Sequence, residues 1–361
     1  MPRARELAGL ALLLALHGAA GAKAANEAPP ATAAATKATG QAATTAPATA
    51  ATASATAATA ATEDGRATAA VPTNRIINGD AVPAGKYPFF AIVRCSLSSR
   101  YTSDCGGALV TSRWVVTAAH CLLPASPPSG LSAYSPCDLI HVLPGVVAYD
   151  KRGRYPWLPT DRQIKHPTYN PRSYQGRWYD IALVRLVNAV PTNANVGVIP
   201  LPTERESLRD PADDGATLTI MGIGETMAPH PTPGVDELRA GHMTFMNMRR
   251  CKEINSQVVE GVNFCLSTQA RGDRFCTGDS GGPIVGDPSN SGRVALVGVI
   301  IKGPAASSGS VCVVNQPYYA VRVFHFREWI NNYIQDDDTS QQSCSCVCPT
   351  CDRSCLAFPG K

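Results

Sequence analysis

The stretch GDSGGP at residues 278–283 places Ser280 on a glycine-rich turn. Because glycine has no Cβ, the backbone on both sides of Ser280 can approach a substrate closely and adopt dihedral angles that a side chain forbids. Such a turn can direct the amides of Gly278 and Ser280 at one point, where a developing oxyanion would be stabilised. A serine hydroxyl is a weak nucleophile unless a base lies beside it. The turn therefore matters for function only if the chain also supplies that base.

Two further segments supply a base and a group to orient it. TAAHC at residues 117–121 contains His120, and DIALVRL at residues 180–186 contains Asp180. Taken alone, His120 could be a structural histidine and Asp180 a turn or cap residue. A serine, a histidine and an aspartate together are the groups that nucleophilic peptide hydrolysis requires. The three segments favour a proteolytic enzyme.

The region after Ile76 has the pattern of an all-β domain. Short Val- and Ile-rich segments, bounded by Gly, Pro, Ser or Asp, predict strands at AIVRC, GALV, WVVTA, LTIMGIG, PIVG and VALVGVII. Many short strands at this spacing are typical of a sandwich or a barrel. Residues 321–335 differ, because their apolar side chains recur at near-helical spacing and predict a closing amphipathic helix.

Residues 76 to about 335 resemble the chymotrypsin-fold (trypsin-like) serine proteases. The resemblance rests on four motifs in the family's order, namely RIING at residues 75–79, TAAHC, DIALVRL and GDSGGP. The chain order His, Asp, Ser distinguishes this pattern from the subtilisins and the α/β-hydrolases. The implied fold is all-β, with two antiparallel Greek-key six-stranded β-barrels, the active site between them and a C-terminal α-helix.

The resemblance also implies a catalytic mechanism. Ser280 would attack the scissile carbonyl while His120 takes its proton and later returns it to the leaving amine. Asp180 would hold the imidazole tautomer, and the amides of Gly278 and Ser280 would form the oxyanion hole. The enzyme would need no cofactor and no metal ion, only water and a protein or peptide substrate.

A zymogen is implied by the junction at Arg75. Cleavage after Arg75 would free the α-amino group of Ile76, which would insert and form a buried ion pair with Asp279. Before cleavage the oxyanion turn would be disordered. An activating protease is therefore an expected partner.

Cysteine pairs are implied where the positions match the family. The expected bridges are Cys105–Cys121, Cys251–Cys265 and Cys276–Cys312. Cys95 and Cys137 are left over in loops expected to flank His120, and we predict that they pair with each other.

The predicted specificity pocket departs from the family pattern. Family spacing places Arg274 at its base, where an aspartate would select Lys or Arg side chains and an arginine would favour acidic ones. Asp273 is one position away, so a basic preference, an acidic preference and a blocked pocket all remain open. Four further positions complete the predicted pocket: Ile301, Lys302 and Gly303 on the opposite wall, and Tyr318, whose ring could fill it. A protease-like binding protein with weak or no catalysis is therefore an alternative function.

The flanking segments predict an exported protein. Residues 1–24 have the charged start, short apolar core and small-residue cleavage site of a signal peptide, and no later segment reaches the roughly 18 apolar residues of a membrane span. Residues 25–75 form an Ala/Thr-rich tract too poor in large apolar side chains to fold, expected as a disordered propeptide with or without O-glycans. The protease domain would occupy residues 76–338. A net charge of +4, without a long basic run, argues against nucleic acid as a partner.

The Cys-rich tail at residues 339–361 has two interpretations. Its five cysteines (Cys344, Cys346, Cys348, Cys351 and Cys355) could bind zinc or copper as thiolates, but oxidation to disulfides is favoured outside the cell. The chain's total of thirteen cysteines is odd. A disulfide-linked partner or surface is therefore a possible role for the tail, and a tethered or matrix-binding protein is a third class of function.

Overall fold

The computed structural model describes residues 76–342, except 98–100, 125–128, 130–131, 133, 151–152, 210–211, 225–234 and 305–311. For Val235 and residues 336–342 only the backbone is described. The predicted signal peptide, the Ala/Thr-rich tract and residues 343–361 of the predicted tail lie outside the described residues.

The described chain is built mainly from short strands. The strands are β1 (Asp80–Ala81), β2 (Phe90–Leu97), β3 (Tyr101–Leu109), β4 (Trp114–Thr117), β5 (Leu139–Pro144), β6 (Ala148–Asp150), β7 (Leu158–Lys165), β8 (Ala182–Leu186), β9 (Thr217–Gly222), β10 (Val235–Glu237), β11 (Arg239–Met246), β12 (Asn263–Thr268), β13 (Pro283–Gly286), β14 (Ala295–Lys302) and β15 (Tyr318–Arg322). The α-helices are α1 (Met248–Ile254) and α2 (Arg327–Gln342), and 3₁₀ turns form at Ala119–Leu122, Gly176–Trp178 and Val323–Phe326.

Twelve of these strands close into two antiparallel barrels of six strands each, while β6 and β10 pair in a separate two-stranded sheet. The first barrel has the order β2-β3-β4-β8-β7-β5. The second has the order β11-β12-β15-β14-β13-β9 and closes through pairing of β9 with β11, while β1 extends it at β11. The predicted strand segments all lie in this framework, and the two-barrel fold with a C-terminal helix is confirmed.

Three hydrophobic clusters explain why the β-rich segments fold in this way. One fills the first barrel and contains Val93 and Val115, and a second fills the other barrel and contains Ile220 and Phe264. The third contains residues of both barrels, such as Ile92 and Val299, and also the closing helix residue Ile330. Because apolar side chains lie inside each barrel and also in the shared cluster, β14 is buried along nearly its whole length. An uninterrupted apolar run such as VALVGVII is typical of a strand covered on both faces.

Four disulfides stabilise the loops of the two barrels. They join Cys95 to Cys137, Cys105 to Cys121, Cys251 to Cys265 and Cys276 to Cys312. These are the same four pairs that the sequence led us to expect. Each pair links segments that are separated along the chain, so the bridges restrict the unfolded chain as well as the folded one.

The closing helix begins later than the sequence pattern predicts. The apolar periodicity placed its start at residue 321, but Val321 and Arg322 belong to β15, and a 3₁₀ turn at Val323–Phe326 precedes α2. The reason is tertiary: Val321 pairs with Asn263 of β12 and Val299 of β14, and these ladder contacts override the local helical periodicity. The helix also continues to Gln342, so the predicted boundary at residue 338 lies within it.

Candidate active site

His120 lies on a 3₁₀ turn directly after β4. The disulfide between Cys105 and Cys121 fixes this turn to β3. The buried Thr117 hydroxyl donates to the carbonyl of Gly106 at 2.8 Å and provides a second tie to the same strand. The histidine loop is therefore held on both sides of the imidazole.

Asp180 is brought to His120 by the pairing of β4 with β8. Thr117 lies opposite Ala182 in this ladder, so the residues that follow β4 and precede β8 are neighbours. His120 Nδ1 lies 2.6 Å from Asp180 Oδ2, and the His120 backbone amide donates to Asp180 Oδ1 at 2.8 Å. Both carboxylate oxygens are thus engaged by one residue, which fixes the ring orientation and leaves Nε2 facing away from the aspartate.

The electrostatics of this pair favour a charged imidazole. Partial burial by itself would lower the pKa of His120, but the negative charge of Asp180 and the hydrogen bond to it outweigh burial and raise the pKa above its ordinary value of 6.5. The imidazole side chain is 34% exposed and that of Asp180 only 8%. A base with a raised proton affinity, partly open to a cleft, is suited to accept a proton from a nucleophile.

Ser280 lies on the turn before β13, in the second barrel. Its carbonyl accepts from the Gly106 amide at 2.8 Å, and the next amide, that of Gly281, donates to the carbonyl of Ile300 at 2.8 Å. Gly278 and Gly281 have φ angles of 90° and 76°, which favour glycine at both positions. The turn is thus held against both barrels.

Ser280, His120 and Gly278 line one cleft. Within the described part of the chain no hydrogen bond joins Ser280 Oγ to His120, and the amides of Gly278 and Ser280 donate to no other protein group. Catalytic hydrogen bonds are often loose without substrate and tighten in the complex. The structure therefore brings Ser280 and His120 to one cleft, and Asp180 contacts His120 from outside its lining.

Asp279 points away from the cleft and is fully buried. Its carboxylate accepts from the amide of Gly224 at 2.7 Å and from that of Cys276 at 2.8 Å. A Cβ on Gly224 would lie 2.7 Å from Asp279 Cγ, and one on Gly222 would lie 2.8 Å from the same atom. The two glycines of the MGIG segment therefore create the space for this carboxylate. The Val/Ile-rich pattern of that segment predicts only a strand, although a Gly-x-Gly pattern at a strand end signals a close approach of another group.

Ile76 and Ile77 are buried at the start of the described chain. Ile77 and Arg274 exchange both backbone hydrogen bonds, at 2.8 and 3.1 Å. The side chain of Ile76 lies beside Gly241 of β11. The segment that follows Arg75 is thus inserted next to the predicted pocket.

Arg274 and Asp273 lie on opposite sides of their backbone. The buried Arg274 guanidinium donates to the carbonyl of Cys312 at 2.5 Å and to that of Gly272 at 2.8 Å. Asp273 instead accepts from the His242 amide at 2.8 Å and lies 3.0 Å from the Arg271 guanidinium. The two neighbouring side chains therefore have different partners, and the Asp273 carboxylate is engaged by His242 and Arg271.

The Tyr318 ring occupies the other side of this region. It is buried, packs edge-on against Phe275 at 4.8 Å, and its hydroxyl donates to the carbonyl of Val313 at 3.0 Å. The nearest Tyr318 ring atom lies 3.2 Å from the position of a Cβ on Gly303. Ile301 and Lys302 line a second cleft, which also contains His120 and Asp180.

A cluster of Cys105, His120 and Cys121 has the spacing of a metal site, since its ligand atoms all lie within 4.8 Å of one another. The two sulfur atoms are joined in a disulfide. A disulfide sulfur is not a thiolate, and thiolates are the form in which cysteine binds zinc. The cluster is explained by the histidine loop and its bridge.

A serine, a histidine and an aspartate, contributed by loops of two six-stranded barrels, define the site of a serine protease. The Trypsin family model matches residues 76–330, and the chain belongs to this family. The chain is similar to human "Transmembrane protease serine 5" (30% identity over 266 residues, 73% of this chain and 52% of the relative). It is also similar to "Trypsin" from Phaedon cochleariae (30% identity over 264 residues, 72% of this chain and 88% of the relative).

Among solved structures, HL collagenase has the same fold, with a TM-score of 0.56 and 26% identity over 72% of this chain and 98% of that one. The chain spans about half the length of the human relative. In the part of the chain that the structure describes, no helix is long and apolar enough to cross a membrane.

Proposed function

We propose that this protein is a secreted serine endopeptidase that hydrolyses peptide bonds through an acyl-enzyme. The observation that carries the proposal is the double contact of Asp180 with His120, a residue that lines the same cleft as Ser280. Ser280 attacks the scissile carbonyl, His120 takes the hydroxyl proton, and the oxyanion is stabilised by the amides of Gly278 and Ser280. His120 then protonates the leaving amine, and water releases the acyl group by the same steps in reverse order.

Activation by cleavage after Arg75 is part of this proposal. The burial of Ile76 and the buried Asp279 carboxylate support it, because a free α-amino group on Ile76 would give that carboxylate a cationic partner. Export from the cell is supported by the signal-peptide pattern of residues 1–24 and by the four disulfides.

The pocket residues support a substrate preference that excludes basic side chains before the cleaved bond. Arg274 is buried at the expected pocket base, and the nearest carboxylate in sequence, that of Asp273, is engaged by His242 and Arg271. A lysine or arginine entering the pocket would meet a like charge in a region of low dielectric constant. The activating protease is therefore a different enzyme.

The experiment that tests the proposed function uses a zymogen with an engineered junction. Residues 71–75 are replaced by Asp-Asp-Asp-Asp-Lys, so that enteropeptidase frees Ile76 without relying on self-cleavage. We expect the cleaved protein to hydrolyse a mixed peptide library, and the uncleaved protein and the cleaved Ser280→Ala variant to be inactive. If the cleaved protein binds peptides without hydrolysing them, the chain is a protease-like binding protein instead.

A further inference from the structure

The second cleft beside the catalytic pair contains two cations. It is lined by His120 and Asp180 on one side, by Arg177 and Trp178, and by Ile301 and Lys302 at the end of β14. Of the described residues that line it, only Asp180 has a carboxylate, and both oxygens of that carboxylate are engaged by His120. The cleft lining therefore carries two cationic side chains, Arg177 and Lys302, against one carboxylate that is already engaged.

Arg177 is held in place by neutral groups. One of its Nη atoms donates to Gln257 Oε1, and its guanidinium carbon lies 5.2 Å from the centre of the Tyr174 ring. Both Arg177 and Lys302 are exposed, and among the described residues neither forms an ion pair with a carboxylate. Each cation can therefore accept an anionic partner without losing one.

The cleft adjoins the predicted specificity pocket at the end of β14. Lys302 is followed by Gly303, which packs against the pocket residue Tyr318. A substrate whose side chain before the scissile bond enters the pocket therefore places its preceding residues along Ile301 and Lys302. The first cleft, which Ser280 itself lines, contains Arg94, but this cation is already paired because Asp104 binds it through two oxygens at 2.8 Å each.

We propose that Arg177 and Lys302 select substrates with acidic side chains two to four positions before the cleaved bond. The inference rests on the proposed function, because it names the substrate class of that same site. A guanidinium binds a carboxylate through two hydrogen bonds, whereas the ammonium of lysine acts as a point charge. Because both cations are exposed, each contact changes kcat/KM by about two- to fivefold, and salt screens the effect.

The test compares matched peptides on the activated enzyme. In these peptides the residue directly before the cleaved bond is a mixture of amino acids, so that no pocket preference is assumed. Each of the three positions before that residue carries Glu, Gln or Lys in turn. At low salt we expect kcat/KM to be highest for the Glu peptides, lower for the Gln peptides and lowest for the Lys peptides. In about 0.5 M NaCl, the ratio of kcat/KM for Glu peptides to that for Gln peptides should fall towards one. In the double variant Arg177→Gln/Lys302→Gln, the ratio should fall to about one at low salt as well.

The matched control is Arg249→Gln. This substitution removes one exposed guanidinium from α1, outside the cleft. It should leave the ratio of kcat/KM for Glu peptides to that for Gln peptides at the wild-type value. Equal rates for Glu and Gln peptides, or a ratio unchanged in the double variant, would overturn the inference.

If the activated enzyme hydrolyses none of the peptides, the proposed catalytic function fails. The cleft is then judged by binding of the same peptides, carrying a fluorophore, to Ser280→Ala. The acidic preference is supported if Glu peptides bind Ser280→Ala more tightly than Gln peptides do, and if this difference is lost when Arg177→Gln and Lys302→Gln are added to Ser280→Ala. Equal binding of Glu and Gln peptides to Ser280→Ala contradicts it.

Discussion

The catalytic chemistry that we propose depends on a small number of polar contacts between residues that are far apart in sequence. His120 and Asp180 are joined by two hydrogen bonds, one to the ring and one to the backbone. The backbone contact places the carboxylate, and the ring contact selects the tautomer with the proton on Nδ1. Nε2 is thereby left as the acceptor, which is the state that a general base requires.

This pair predicts the pH dependence of hydrolysis. Only the neutral imidazole can accept the Ser280 proton, and its raised pKa means that His120 remains protonated to a higher pH than an ordinary histidine. As the pH falls, kcat/KM should therefore decline through a midpoint above 6.5. Replacing Asp180 by Asn should lower this midpoint and reduce kcat about 10³- to 10⁴-fold, because the tautomer is no longer enforced. A variant that keeps the wild-type midpoint would argue against the assigned role of Asp180.

Gly222 provides a second prediction at the residue scale. A Cβ there would lie 2.8 Å from Asp279 Cγ, so Gly222→Ala should displace the buried carboxylate and disorder the turn that carries Gly278 and Ser280. We expect activity to fall by at least about tenfold, since one displaced oxyanion donor costs 10²–10³ in kcat. Gly292→Ala is the control for backbone strain, because its φ of 80° disfavours alanine while a Cβ at that exposed position meets no atom within 4 Å. Comparable activity of the two alanine variants would refute the account of Gly222.

The sequence motifs were sufficient to predict that His120 contacts Asp180 and lies near Ser280, but not how the predicted pocket is arranged. GDSGGP, TAAHC and DIALVRL each carry a strong local signal, because glycine turns and short polar motifs specify local geometry. The orientations of Asp273 and Arg274 depend instead on distant partners, His242 and Cys312. No local pattern states which neighbour each side chain will find. Arg177 was missed for the same reason, since only the fold places it beside Lys302.

At the scale of elements, the closing helix α2 is part of the largest hydrophobic cluster. Ile330 is fully buried in the cluster, which also contains Trp114 of β4, and Tyr333 lies 6.4 Å from the Trp114 ring. The apolar periodicity of residues 321–335 correctly indicated a helix that packs on the domain. It misplaced the start, because pairing of β15 with its neighbours takes precedence over local propensity.

The packing of α2 predicts a loss of stability on truncation of its buried side chain. Ile330→Ala removes buried methyl and methylene groups, and we expect a decrease of about 2–5 kcal/mol in the free energy of unfolding. Asn332→Ala, at an exposed position of the same helix, should change it by less than about 0.5 kcal/mol. Denaturant titration with disulfides intact measures both. Equal midpoints for the two variants would show that α2 does not contribute to the core.

At the scale of the whole molecule, the site requires both barrels. The first barrel carries His120 and Asp180, the second carries Ser280, and the hydrogen bond from Gly106 to Ser280 links them directly. The inserted Ile76–Ile77 segment adds a further dependence, because its backbone pairs with Arg274 beside the pocket. Cleavage at one chain junction would therefore change the pocket and the oxyanion turn together.

The buried Arg274 at the predicted pocket base predicts that the protein does not activate itself. The activated enzyme, incubated with a Ser280→Ala copy of the zymogen, should leave the bond after Arg75 intact, because the buried Arg274 repels a basic side chain. As the control, an Arg-specific protease should cut the same copy readily, which would show that the junction is accessible. Efficient cleavage of the copy after Arg75 by the activated enzyme would contradict the proposed pocket.

The most direct test of the central claim is covalent labelling of Ser280. The activated protein is treated with a fluorophosphonate, which reacts with a serine that has an adjacent base and an oxyanion hole, and the modified residue is located by peptide mass spectrometry. We predict one phosphonylated site, Ser280, with loss of labelling in the uncleaved zymogen and strong reduction in Asp180→Asn. Absence of label at Ser280 in the correctly cleaved protein would contradict the assignment of this site as a catalytic triad.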